Sequence, residues 1–190
     1  LKRITPTSWF PYFQIDDIRS EVGFTTFGSD PLKRHRYNAL LGYDTDHQWG
    51  VGRLNYIYDR WDPTLKFSLD RQVLAYLDNA GNVALYRNSD IVSAGAVWPF
   101  YRYTRQWLLH AGIVSETESD KKSPSNVGPN QTFSDRLAGL AVTYNSSQQY
   151  ARAISPSNGR QVQLVAEDDD ILDSDYSGQI YTLDWRELID

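Results

Sequence analysis

Hydrophobic and polar residues alternate with a period of two over most of the chain. Residues 35–61 contain two such runs, separated by the polar stretch DTDHQ. The apolar members are Tyr37, Ala39, Leu41 and Tyr43 in the first run, and Leu54, Tyr56 and Tyr58 in the second. Because successive side chains of a strand point to opposite faces, the pattern predicts two antiparallel strands, each with one apolar and one polar face.

The same alternation, interrupted by turn residues, predicts about nine strands in all. They are placed near residues 21–29, 35–45, 49–60, 64–78, 83–98, 103–116, 132–146, 160–168 and 177–187. A helix is an alternative at residues 71–80 alone. Residues 1–20 contain two prolines and are predicted as an extended aromatic lead-in, since proline cannot donate to a sheet ladder. The strands then occupy residues 21–190.

Two kinds of connection are expected between the strands. Short ones are DTDHQ and a tight hairpin at Asn79 and Gly81. Long polar ones are residues 115–131, 146–159 and 168–178. Short turns at one end and long loops at the other are typical of outer-membrane barrels, and we expect that separation here.

Alternation alone fits a soluble β-sandwich or a lipocalin-like barrel as well as a transmembrane barrel. Three features favour the membrane: several runs are long, aromatic residues lie near the ends of apolar stripes, and the polar face carries charge. The residues predicted at the lipid interface are Tyr37, Tyr43, Tyr58, Trp61, Trp98, Trp107 and Trp185. The residues predicted to face the lumen are Arg53, Asp59, Lys66, Asp70, Asp184 and Arg186.

Composition limits the possible functions. The net charge of −5 argues against general nucleic-acid binding, and the absence of cysteine excludes disulfides and thiol catalysis. No run of 18 apolar residues predicts a transmembrane helix, although a transmembrane strand needs only about 9–11 residues. With no methionine at position 1, the chain is expected to begin inside a longer product.

Few residues suggest chemistry. His35, His47 and His110 lack metal-ligand spacing, and no nucleophile elbow or glycosidase-like carboxylate pair is evident, so the chain is predicted not to be an enzyme and to need no cofactor. Residues 167–175 are rich in carboxylates, which could hold Ca²⁺ or form a solvated acidic loop. The Ca²⁺ candidates are Asp168, Asp169, Asp170, Asp173 and Asp175.

Several short motifs together resemble one protein family. They are a Pro-x-x-Trp-x-Pro lead-in, a Ser-Asp-Pro-Leu element, a Tyr-x-Tyr strand end, an arginine-led hairpin with Pro-Phe, and a later strand from glycine to glutamate. The matching positions are Pro6, Trp9, Pro11, Ser29, Asp30, Pro31, Leu32, His35, Tyr56, Tyr58, Pro63, Arg87, Gly95, Pro99, Phe100, Arg102, Gly159 and Glu167. They resemble the bacterial surface antigen family, in the form that follows TolB-like β-propellers.

The resemblance implies an all-β, antiparallel, up-and-down barrel of about sixteen strands in the bacterial outer membrane. The predicted strands would then form its N-terminal half. Half a barrel leaves two unpaired edges in lipid, which is not viable, so either further strands complete it or these strands close a smaller barrel.

The family's members insert or translocate polypeptides. The implied partners are outer-membrane lipid or lipopolysaccharide, other polypeptides, or the remainder of the barrel. The functional hypotheses are a non-enzymatic barrel that assists insertion or translocation or anchors a periplasmic domain, a passive porin-like channel, and a soluble barrel that binds an apolar ligand.

Overall fold

The computed structural model describes Pro6 and residues 8–15, 19–46, 48–77, 83–121, 131–148 and 158–189. Ten strands form one antiparallel sheet in which every strand pairs with its neighbours in the sequence. The strands are β1 (Phe10–Ile15), β2 (Ser20–Ser29), β3 (His35–Asp44), β4 (Trp49–Tyr58), β5 (Thr64–Leu77), β6 (Val83–Arg102), β7 (Arg105–Lys121), β8 (Thr132–Asn145), β9 (Gly159–Asp168) and β10 (Gln179–Leu188). The prediction of an all-β, antiparallel, up-and-down fold is confirmed.

The strand beyond the predicted nine lies inside the lead-in segment. Strand β1 pairs with β2 along its whole length, from Phe10 opposite Thr25 to Ile15 opposite Ser20. Pro11 is accommodated because β1 is an edge strand, where a missing backbone donor need not disturb a second ladder. Hydrogen bonding to β2 therefore makes a strand of a segment whose prolines suggested only extended chain.

Two strands are longer than predicted, with 20 residues in β6 and 17 in β7, whereas β5, with 14 residues, is close to its predicted length. Residues 71–77 continue β5, so the helical alternative at 71–80 is wrong for the described part of that segment. Residues 115–121, predicted as the start of a loop, belong to β7. Strand β6 continues through Pro99, where β5 has already ended and only β7 is paired with it.

The connections do not sort by length as predicted. One end of the sheet carries the connections 30–34, 59–63, 103–104 and 146–158. The other end carries 16–19, 45–48, 78–82, 122–131 and 169–178. Each end therefore mixes short and long connections, because long polar segments follow both odd- and even-numbered strands. The predicted hairpin at Asn79 and Gly81 lies outside the described residues.

The sheet has two chemically distinct faces, which the strand register defines. Leu41 of β3 lies opposite Phe24 of β2 and Gly52 of β4, and Leu54 of β4 lies opposite Ala39 and Leu69. Directly opposite residues share a face, so the apolar stripes of adjacent strands join. We call this side the apolar face and the opposite side, which carries Arg53, the polar face.

Crowded glycines indicate that the sheet curls toward its polar face. A Cβ atom on Gly23 would collide with the carbonyl oxygen of Leu41 and lie 2.6 Å from the Cα of Gly42. On the apolar face, a Cβ on Gly50 would meet nothing within 4 Å. The other apolar-face glycines are less open, since a Cβ on Gly52 would lie 3.4 Å from the Leu40 carbonyl oxygen and Gly28 lies under the Tyr37 ring. Among the described strand glycines, however, backbone atoms come closer than 3.4 Å only on the polar face, as expected if that face is concave.

The two edge strands remain apart in the described part of the chain. The sheet begins at β1 and ends at β10, with no ladder between them. The fold is thus an open, curled sheet. Among the described residues no helix is both long and apolar enough to cross a membrane.

Candidate membrane-facing surface

The apolar face forms a continuous exposed band across the sheet. Its members include Phe13, Val22, Phe24, Leu41, Leu65, Phe67, Leu69, Val92, Leu109, Ile113, Leu140, Val142, Leu164 and Leu183, all of which are exposed. We call this set the apolar band. Isolated exposed apolar residues are ordinary in soluble proteins, but a contiguous patch larger than a few hundred Å² marks an interaction surface.

The conventional core is correspondingly small. In the described residues only Val51 and Val73 are buried apolar side chains. The residues with almost no exposure are polar, namely Thr26, Asp44 and Ser89. Burial of apolar area is the main stabilising term for a domain in water. A sheet that leaves this much apolar surface uncovered presents it for contact with another apolar surface.

Aromatic side chains concentrate at one end of the apolar band. The tilted rings of Trp107 and Tyr144 have centroids 4.6 Å apart, and Tyr58 meets Trp61 edge-on at 5.5 Å. The aromatic members on this side of the sheet are Tyr37, Tyr56, Tyr58, Trp98, Phe100, Trp107, Tyr144 and Trp185. We call this the aromatic end, which is also the end of the connections 30–34, 59–63 and 103–104.

The structure places the seven predicted interface residues in three settings. Tyr37, Tyr58, Trp98, Trp107 and Trp185 lie on the apolar face at the aromatic end. Tyr43 lies on the same face at the opposite end of β3. Trp61 is in the turn between β4 and β5, with the guanidinium of Arg60 5.8 Å from its ring centroid.

One tyrosine of the aromatic end is fixed by a glycine. The ring of Tyr37 covers Gly28 of β2, and a Cβ on that glycine would lie 2.5 Å from the Tyr37 hydroxyl oxygen. Nearby, the hydroxyl of Tyr56 lies 2.7 Å from Nδ1 of His35. The amphipathic rings are therefore held in defined positions, with polar tips near the ends of the strands.

The apolar face becomes polar toward the opposite end of β5 to β8. Along this face, Leu69 is followed by Arg71, Val92 by Asp90, Ile113 by Ser115, and Ala138 by Arg136. In register, these changes lie within one residue pair of one another, and together they mark a level across four neighbouring strands, which is reached one pair earlier on β7 and β8 than on β5 and β6. We call the residues beyond it, 70–77, 83–91, 115–121 and 132–136, the hairpin extension.

The hairpin extension carries polar contacts on both faces. On the former apolar face, Nη2 of Arg71 donates to Oδ2 of Asp90 over 2.8 Å. On the polar face, Arg87 donates to Glu118 over 2.6 Å and to Asp120 over 2.7 Å. Arg87 is only 18% exposed, and its guanidinium also lies between the rings of Tyr76 and Phe133. This part of the sheet therefore carries charged pairs on both faces.

The polar face carries the predicted lumen-facing charges. Arg53 donates to Asp70 over 3.1 Å, and Arg186 donates to Asp184 over 3.2 Å. Lys66 lies on the same face, in a depression that also contains His110 and Glu167. Asp59 lies in the turn after β4, where it accepts a hydrogen bond from Thr64 over 2.6 Å.

The acidic segment after β9 is organised by hydrogen bonds to protein. Asp168 accepts from the backbone amides of Asp170 and Ile171 and from the Gln179 side chain, over 2.9, 3.2 and 2.8 Å. Its neighbours begin a short 3₁₀ helix, Asp170–Leu172. Asp175 accepts from the backbone amide of Ser134 over 2.6 Å.

No metal centre emerges from these acids or from the histidines. Among the described residues, no three His, Asp or Glu side chains are grouped to hold a metal ion. The Ca²⁺ candidates Asp168, Asp169, Asp170, Asp173 and Asp175 are thus not gathered around a common point. His35 and His110 lie on separate strands, and His47 is outside the described residues.

Two carboxylates in turns have shifted pKa values. The backbone amide of His35 donates to Asp30, which lowers the pKa of that carboxyl. Desolvation, and then the nearby charges of Asp135, Asp168 and Asp170, raise the pKa of Asp169. Its Oδ1 is shielded from solvent and has no hydrogen-bond partner among the described residues.

Known proteins provide no match to this arrangement. No family model, no curated protein and no solved structure matches the chain.

Sequence reasoning missed two features of this surface. It did not find the level at which the apolar face becomes polar, because residues 115–131 were assigned to a loop. It also missed the Arg87 cluster, although Arg87 and Asp120 are directly opposite each other once β6 and β7 are in register. The change from apolar to polar at alternate positions of β6, from Val92 to Asp90, was the available signal.

Proposed function

We propose that the chain forms part of the wall of a bacterial outer-membrane β-barrel. The supporting observation is the side of the curled sheet on which the apolar residues lie. They cover the face opposite the crowded, concave one, while Arg53, Lys66 and Asp70 lie on the concave face. A soluble barrel has the reverse arrangement, since its apolar side chains fill the interior.

The dimensions of the band agree with this proposal. On β6 the apolar face runs from Val92 to Phe100, a span of nine residues, and a tilted transmembrane strand needs about 9–11 residues. Transmembrane barrels carry an apolar band about 25 Å tall between aromatic girdles. The aromatic end supplies one girdle, and the change to polar residues at Arg71 and Asp90 supplies the opposite limit.

Within the membrane, the proposed role is that of a non-enzymatic barrel of the bacterial surface antigen type. Such a barrel assists the insertion or translocation of polypeptides or anchors a periplasmic domain. The motif resemblance supports this class, and the free edges of β1 and β10 agree with a sheet that is completed by further strands. Outer-membrane lipid and lipopolysaccharide are the proposed surroundings.

Opposed charges on the polar face favour a second candidate, a passive channel. Arg53 and Asp70 lie side by side on the concave face, and such pairs line the lumen of water-filled barrels. Conductance across planar bilayers tests this role, since a passive channel gives steady ion currents without any polypeptide present. A closed or plugged barrel does not.

The membrane proposal is tested by placing arginine on each face. We expect Leu41→Arg and Leu54→Arg to prevent assembly into vesicles, because arginine near the bilayer midplane costs about 2–4 kcal/mol. Asn38→Arg and Asn55→Arg, on the polar face of the same strands, are the matched controls and should assemble. Vesicle flotation and heat-modifiable gel migration report assembly. Equal behaviour of the two pairs of variants would reject the proposal.

A further inference from the structure

Two arginines face each other at the aromatic end without an opposing acid. Arg102 ends β6 and Arg105 begins β7, and they form the last directly opposite pair before the two-residue turn. The next pairs along the same face are Phe100 opposite Trp107 and Trp98 opposite Leu109. The two guanidinium groups thus lie at the limit of the apolar face, and both side chains are exposed.

This pairing differs from that of four other strand arginines. Arg53 lies opposite Asp70, Arg71 opposite Asp90, Arg87 opposite Asp120, and Arg160 opposite Glu187. Each of these four pairs is also an ion pair, with distances from 2.5 to 3.1 Å.

Arg102 and Arg105 instead place like charges directly opposite each other, which destabilises a strand pair. No ion pair involves either of them in the described part of the chain. Arg105 lines a depression that also contains Glu187, but Glu187 already forms an ion pair with Arg160 over 2.9 Å. An anion from outside the chain would relieve the repulsion.

An apolar groove begins beside Arg102, one member of this pair. It has a volume of about 570 Å³, and Arg102 lines it together with Phe100, Trp107, Leu109 and Val142. Positive charge at one end and aromatic and aliphatic surface along the rest match an amphiphile that has an anionic head and a hydrocarbon tail.

We propose that Arg102 and Arg105 form a binding site for the phosphate of an anionic lipid headgroup, with an acyl chain of the same lipid in the groove. Guanidinium groups bind phosphate through two parallel hydrogen bonds. Long arginine side chains beyond an aromatic belt reach the headgroup level while their stems stay on apolar surface. This inference rests on the proposed membrane location of the apolar band.

The test compares lipid preferences of the assembled protein. The full chain is reconstituted into phosphatidylcholine vesicles that contain brominated phosphatidic acid or, separately, brominated phosphatidylcholine. Bromine quenches nearby tryptophans, and the Trp107→Phe chain shows how much of the quenching comes from Trp107 beside the site. We expect stronger quenching by the anionic lipid, and a fall of about fivefold in its relative affinity for each arginine replaced by glutamine.

Two further variants and one competitor sharpen the result. Arg186→Gln removes a positive charge from the polar face and should keep the preference. The Arg102→Lys, Arg105→Lys double variant keeps the charge but loses the planar fork, and should give an intermediate preference. Inorganic phosphate in the buffer should displace little lipid, since it cannot occupy the groove. Displacement by low concentrations of it would overturn the assignment to a lipid.

The outcomes separate this inference from the proposed function. If the unchanged protein does not float with vesicles of either composition, the membrane proposal fails and the lipid site fails with it. If it floats and migrates as a heat-modifiable species, but both brominated lipids quench its tryptophan fluorescence equally, only the lipid site is wrong. An unchanged preference in the double glutamine variant has the same meaning.

Discussion

The apolar band and the hairpin extension share the same strands and hydrogen-bond ladders, yet their surfaces differ. On β8, Leu140 in the band is 59% exposed among other apolar residues. Six residues earlier on the same face, Ser134 lies in line with the Arg71–Asp90 ion pair, one residue pair beyond Arg136. A continuous backbone therefore passes from a surface suited to hydrocarbon to one suited to water. The side chains at alternate positions, and not the backbone, therefore determine which environment each part of the sheet suits.

The largest expected effect comes from adding the same charge to both regions. Leu140→Arg should lower the free energy of unfolding in vesicles by about 2–4 kcal/mol, because it places a cation within the apolar band. Ser134→Arg, on the same strand and face, should change it by less than about 0.5 kcal/mol. Urea titration of the vesicle-bound protein measures both. Similar losses in the two variants would remove the distinction between the regions.

A second comparison uses the two glycine environments of the faces. Gly23→Ala places a methyl group against the Leu41 carbonyl oxygen, and we expect a loss of about 1–3 kcal/mol from overpacking. Gly50→Ala on the apolar face meets nothing within 4 Å and should be close to neutral. The same urea titration applies. A neutral Gly23→Ala would show that the sheet is less curled than the structure indicates.

The hairpin extension depends on Arg87 more than on its exposed ion pair. Arg87→Ala leaves Glu118 and Asp120 without their shared cation, and since both are largely buried we expect a loss of about 1–2 kcal/mol. Arg71→Ala breaks a pair in which Arg71 is 57% exposed and should cost less than about 0.5 kcal/mol.

Hydrogen exchange localises the effect of Arg87→Ala. Faster exchange is expected in residues 83–91 and 115–121, with the apolar band unchanged. Faster exchange throughout the sheet would show that the two regions unfold as one unit.

The smallest effects concern the two turn carboxylates with opposite pKa shifts. Asp30 has a lowered pKa, so its contribution to stability is present above its ordinary pKa of 3.8 and is lost as the pH falls. Asp169 has a raised pKa, so the folded state loses stability as the pH rises through the range above 3.8. We therefore expect Asp30→Asn to destabilise and Asp169→Asn to stabilise at neutral pH, as measured by unfolding at several pH values. Shifts of the same sign would contradict these assignments.

Much of the fold followed from the sequence. Period-two alternation is a local property, so it identified the strands, their two faces and the residues on each, including Tyr37, Leu41 and Arg53. The exceptions have a common cause. The strand at Phe10–Ile15 and the extension of β7 to Lys121 depend on pairing with a neighbour, and pairing energy is not visible in a single segment. The length rule for the connections failed because the three long polar segments follow consecutive strands, and consecutive connections lie at opposite ends of an antiparallel sheet.

The sequence by itself determined that the chain is an alternating, antiparallel sheet with one apolar face, because side-chain direction in a strand depends only on position along it. Only the tertiary structure decided which way the sheet curls, at what level its apolar face becomes polar, and which charges meet. Those properties depend on register. Register decides which residues of neighbouring strands lie opposite each other. It places Gly23 opposite Gly42 and Arg102 opposite Arg105, and it brings Arg87 beside Glu118 and Asp120. It also brings the four polar transitions of β5 to β8 close together.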